Sequence, residues 1–175
     1  MIQIRPVSDL RNKFPEIENI VMRGEPVYLT KNGYGSMVVL SLEEYTRLTE
    51  RARIKTEFEE MVSIAKRLIH QNPKKDEVVL VKTAKNHMRY FTLNIKDGTH
   101  EEDIDAFIQE IVEEDDKEIK CILCFSNVFS IEPAPYHLNK RLIEICPENE
   151  NAYIFLQGEY DFAVMTLEAC MPLKE

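Results

Sequence analysis

Tryptophan is absent from this 175-residue chain, and glycine occurs only five times. So little glycine leaves no material for a glycine-rich phosphate loop or a flexible linker. No uncharged stretch approaches the roughly 20 apolar residues that a membrane span requires. The first residues carry charge from Arg5 onward and hold no apolar run of the signal-peptide kind. A cytoplasmic protein with no membrane partner is expected. Its cysteines (Cys121, Cys124, Cys146 and Cys170) are then expected to be reduced thiols, not a disulfide framework. Basic side chains are also in deficit, 22 against 31 acidic, for a net charge of −9. Taken whole, that balance argues against nucleic acid, because a phosphate backbone is met by Lys and Arg.

Taken by segment, the charge says something different. Residues 1–75 hold 13 basic and 10 acidic side chains, a net of +3, whereas residues 76–175 hold 9 and 21, a net of −12. Such asymmetry is a domain-level signal. The sequence Asn72-Pro73-Lys74-Lys75-Asp76 marks the change with a helix stop and a proline. Two domains are expected, residues 1–72 and residues 76–175, in an α+β protein.

The first segment opens on a short alternation, Ile2 and Ile4 about Gln3, which Pro6 breaks. Ser8 is placed to cap a short helix through Leu10 and Arg11. Pro15 fits the first turn of a second helix whose Ile17, Ile20 and Val21 repeat at helical spacing, and Gly24 ends it. Residues 26–30 and 36–40 then read as a hairpin about Asn32-Gly33. Ser41 and Glu44 have the spacing of a capping box. No Gly or Pro interrupts the chain from there to Asn72, so a helix over residues 41–70 would extend about 45 Å at about 1.5 Å per residue. That length calls for a partner chain or second domain to cover Phe58, Met61, Ile64, Ala65, Leu68 and Ile69.

In the second segment, residues 78–82 and 88–95 read as strands, Asp97-Gly98 as a turn, and Thr99 with Glu102 as a second capping box. Ile104, Phe107, Ile108 and Ile111 line a helix. A strand over residues 119–125, a helix over 136–145, strands over 152–157 and 160–167, and a turn at Gln157-Gly158-Glu159 complete a ββαβαββ order.

The linked motifs V-S-D-L-R-N-K-F, R-G-E-P-V, Y-L-T-K-N-G and V-V-L-S-L-E-E-Y, in this order within residues 1–50, resemble the prevent-host-death (Phd/YefM) antitoxins, repressors of toxin–antitoxin operons. The resemblance implies an N-terminal dimerisation and DNA-binding domain followed by the long helix. It implies a homodimer on palindromic operator DNA and a toxin partner; with no catalytic or metal-site motif in the sequence, no cofactor and no catalysis are expected. Carried over by position, it places DNA contacts at Arg11 with Asn12 and Lys13, and at Lys31 with Asn32. Arg5 and Arg23 are secondary candidates for flanking phosphates. Arg11 and Lys13 lie near a helix start, where backbone amides favour phosphate. Lysine at position 31, where the family commonly has arginine, keeps the phosphate attraction without the bidentate fork that reads guanine. The family's short toxin-wrapping tail is replaced here by the acidic residues 76–175, which form the separate ββαβαββ domain.

Other constellations have plainer readings. Cys121-x-x-Cys124 sits in a strand, where a spacing of three sends the side chains to opposite faces, so buried thiols fit better than a redox or zinc pair. His70, His87, His100 and His137 show no triad-like spacing. The run Glu113-Glu114-Asp115-Asp116 reads as a solvated helix end. The alternatives to a repressor are an interaction module whose acidic domain binds a basic toxin, and a ligand-sensing regulator.

Overall fold

Ile4 and its neighbours do form a strand, β1 (Gln3–Pro6), with Pro6 as its last residue rather than a break before it. The computed structural model describes residues 2–94, 101–126, 135–158 and 161–172. It divides into two compact units, Met1–Thr56 and Glu57–Glu175.

In the first unit β1 leads into helices α1 (Asp9–Asn12) and α2 (Phe14–Val21), and then into the hairpin β2 (Val27–Lys31) and β3 (Tyr34–Val39). Strand β2 is central, parallel to β1 and antiparallel to β3. Ile17, Ile20 and Val21 of α2 bury against Val27 and Leu29 of β2, each full burial contributing about 1.5–3 kcal/mol. Pro15 lies in the first turn of α2, where its missing N–H costs no helical hydrogen bond. Gly24, at φ +81°, turns the chain out of the helix. Asn32 and Gly33, at φ +53° and +83°, form the tight hairpin turn that suits twisted strands.

Two expected caps differ in detail. Ser8 is itself in helical conformation and its hydroxyl makes no capping bond. Ser41 does accept the Glu44 N–H at 3.2 Å, but the Glu44 carboxylate accepts from Nε and Nη2 of Arg47, at 2.8 and 2.6 Å, so only half of the box forms.

Helix α3 (Leu42–Gln71) passes through the division between the units, its residues from Glu57 onward belonging to the second. The sequence places the boundary later, at residues 72–76. The physical reason for the earlier division is what the end of α3 touches. Phe58 stacks on Phe162 at 4.2 Å and tilts against Phe155 at 5.6 Å. The Met61 and Cys121 sulfurs are 3.5 Å apart.

The second unit is a five-stranded sheet in the order β5-β4-β6-β7-β8, built from β4 (Glu77–Thr83), β5 (Met88–Leu93), β6 (Ile119–Ser126), β7 (Tyr153–Gln157) and β8 (Phe162–Thr166). Among the described residues of this sheet, only β6 and β7 pair in parallel. Helices α4 (Glu101–Glu113) and α5 (Tyr136–Ile145) cover one face through Ile104, Phe107, Ile108, Ile111, Leu138 and Leu142. The end of α3 covers the other face. There Lys82 donates to Glu60 at 2.9 Å and lies 3.6 Å from Glu57, which Lys120 also contacts. The expected turn at Asp97-Gly98 and the Thr99 cap lie outside the described residues. Gly158 donates its N–H to the Asp161 carbonyl at 2.8 Å, and a Cβ there would meet that oxygen at 2.7 Å, which explains glycine at the position.

Candidate nucleic-acid interface

Parallel pairing of β1 and β2 sends their C-terminal ends to the same end of the sheet, with Pro6 in register with Thr30. The Val7 N–H donates to the Thr30 carbonyl at 2.8 Å, and the Thr30 hydroxyl donates to the Arg5 carbonyl at 3.3 Å. Consequently the chain entering α1 and the tip of the β2–β3 hairpin leave the sheet side by side.

That end carries the predicted residues. Arg11 and Asn12 close α1 and are exposed, with the Arg11 Nε 3.5 Å from the Asn12 Oδ1. Arg11 is in the single turn of a four-residue helix, three residues before the start of α2. Exposed Lys13 precedes α2, whose first turn holds Glu16. Lys31 ends β2, and Asn32 forms the turn. Arg5 differs from the others. Its guanidinium lies 3.9 Å from Asp9 and 3.7 Å from Glu16, so its charge is partly answered within the unit. The first unit holds 9 basic and 7 acidic residues, net +2, and the second 13 and 24, net −11.

One exposed residue at this end is missing from the sequence reading. Tyr34, 80% exposed, is the register partner of Lys31 across the turn. The signal was available, because a two-residue turn at Asn32-Gly33 fixes positions 31 and 34 as opposed neighbours.

The remaining singled-out groups lie in the second unit. Cys121 is buried facing Met61, while Cys124 packs into the core beneath α4 and α5, so the pair straddles the sheet as strand alternation requires. Burial pushes the Cys121 thiol up to about 12, which removes thiolate character. The His87 Nδ1 lies 2.8 Å from Asp116 Oδ2. His137 and Arg141 contact Asp105 at 3.2 and 2.9 Å. Among the described residues, no group of three or more His, Cys, Asp or Glu is arranged to hold a metal ion, and no helix is long and apolar enough to cross a membrane.

The first unit is thus a small sheet covered by two helices, with basic side chains on the loops that leave one end of it. Residues 2–64 match the family model for the antitoxin Phd_YefM of type II toxin–antitoxin systems. This N-terminal segment is thus similar to the Phd/YefM antitoxins. No curated protein matches the chain.

Proposed function

We propose that the protein is a homodimeric, DNA-binding repressor of the antitoxin kind, acting on palindromic operator DNA through the end of the first sheet that carries Arg11, Asn12, Lys13, Lys31 and Asn32. The observation that carries this reading is the Pro6–Thr30 register within the matched segment, since it brings the chain leading to Arg11 and the hairpin leading to Lys31 out of the same end of the sheet. A net of +2 is weak for a single DNA reader, but a twofold dimer doubles the patch and sets two half-sites. The dimer has a surface to use. Ile4, Tyr28 and Val38 are register partners in one row across all three strands, yet 64%, 41% and 48% exposed. Contiguous exposed apolar surface of this kind marks an interaction site. Electrophoretic shift of the duplex upstream of the protein's own coding sequence tests the reading. Binding is expected for the wild type and lost in Arg11→Ala with Lys31→Ala; equal binding by that double variant refutes the residue assignment.

A second reading concerns the acidic unit. Helix α4 carries six acidic residues and no Lys or Arg, beside an open groove of about 490 Å³ lined by Ile108, Val112, Ile145, Asp105 and Arg141. Charge of this density favours association with a basic protein, such as the toxin an antitoxin must hold. Co-purification of the full chain with a toxin encoded beside it, lost when α4 acids are replaced by lysine, is the expected result. Retention of the complex by that variant argues for a contact elsewhere.

A further inference from the structure

Tyr34 is an exposed aromatic residue at the proposed DNA-binding end, and at 80% exposure it buries little of its ring against the fold. Its position is fixed by three facts. Tyr34 begins β3 immediately after Gly33. Its register partner is Lys31. The turn between them holds Asn32 and Gly33 in the left-handed region, the geometry of a tight two-residue hairpin. Directly opposed residues project their side chains from the same face, with Cβ atoms about 4.5–5.5 Å apart. The two side chains therefore leave the hairpin from the same face at neighbouring positions, both exposed.

We propose that Tyr34 is a DNA-backbone contact that works as a pair with Lys31: its ring packs on a deoxyribose and its hydroxyl donates to a phosphate oxygen, while Lys31 supplies the charge. Tyrosine suits that role because it brings contact area and a polar tip at the entropic cost of two side-chain torsions. Backbone contacts of this sort set the register of a protein on the duplex without reading sequence themselves. The inference rests on the DNA-binding reading above, but salt separates the two. A neutral side chain releases no counterion, so its removal weakens binding without changing the slope of affinity against salt, whereas each lysine–phosphate contact contributes to that slope.

The experiment measures affinity of the full chain for a labelled duplex from upstream of its own coding sequence, across a salt series. Tyr34→Ala is expected to weaken binding about tenfold and Tyr34→Phe about threefold, consistent with one hydrogen bond plus ring packing. Both should keep the wild-type salt slope, while Lys31→Ala lowers it by about one. Sedimentation of Tyr34→Ala is expected to match the wild type. If Tyr34→Ala binds like the wild type while the Arg11→Ala, Lys31→Ala double variant does not, the Tyr34 inference falls and DNA binding stands. If Tyr34→Ala dissociates into monomers, Tyr34 belongs to a subunit interface and the inference is overturned. If the wild type itself fails to bind, both readings fail together.

Discussion

The side-chain oxygen of Asn149 accepts the backbone N–H of Ile119, the first residue of β6, at 2.7 Å. The same amide donates from Nδ2 to the carbonyls of Lys117 and Leu142, at 2.9 and 2.8 Å. One fully buried side chain thus satisfies the start of a central strand and the last turn of α5. Asn149→Ala removes the side-chain partner of the Ile119 N–H and of the Lys117 and Leu142 carbonyls, of which Leu142 keeps the Cys146 N–H at 3.3 Å. At about 1–3 kcal/mol for each unsatisfied group, less what water recovers, a loss of about 2–3 kcal/mol is expected. Urea unfolding checks it, and a midpoint shift worth less than about 1 kcal/mol would show that water replaces the amide.

The end of α3 predicts where the second unit can be cut. Residues 57–175 include Phe58, Met61, Ala65, Leu68 and Ile69, of which all but the half-buried Phe58 are buried. Residues 76–175 lack them, which exposes the sheet face that holds Leu80, Cys121, Leu123 and Phe155. The longer fragment is expected to unfold cooperatively, and the shorter to bind a hydrophobic dye and aggregate. A cooperative transition in residues 76–175 alone would place the boundary back at Pro73.

The sequence carried the fold further than it carried the site. Periodicity found α2 through Ile17, Ile20 and Val21, and α4 through Ile104, Phe107, Ile108 and Ile111, because burial on one face leaves a helical trace. Asn32-Gly33 gave the hairpin because few residues tolerate positive φ. The division at Thr56 was not legible, since a helix that changes partners along its length keeps one unbroken pattern. Arg5 was not legible as a partly paired residue either, because Asp9 and Glu16 reach it only through folding. Asn149 looked like any loop polar residue, as side-chain bonds across about thirty positions leave no local signal.

Acid should loosen the second unit through Asp116. Burial pushes its carboxyl up, but hydrogen bonds from His87 and Thr83, with the charges of His87 and Lys85, outweigh this and hold it below the usual value. A carboxyl lowered in the folded state stabilises above its unfolded value near 3.9, and the gain is lost as pH falls through the folded one. Asp116→Asn is expected to be less stable than the wild type at neutral pH by about 1–2 kcal/mol. The difference should begin to shrink below about pH 4, where the unfolded carboxyl takes up a proton, and be gone once pH falls below the lowered folded value. Denaturant midpoints at neutral and acid pH decide it, and a gap that does not close on acidification would assign Asp116 a steric role.

The exposed row Ile4–Tyr28–Val38 allows dimerisation and DNA binding to be tested in opposite directions. Ile4→Lys adds a positive charge to the unit, which by attraction to phosphate alone would strengthen DNA binding. It also places an ammonium at one end of the apolar row, where burial against a second copy would be prohibitive. If the operator is read by a twofold dimer through that face, the variant is expected to sediment as a monomer. Its affinity for the upstream duplex should then fall at least about a hundredfold, because the two half-sites no longer act as one. Ile4→Val should change neither property, since it keeps the apolar surface. A monomeric Ile4→Lys variant that binds as tightly as the wild type would mean that one copy suffices, and the palindromic-dimer reading would be wrong.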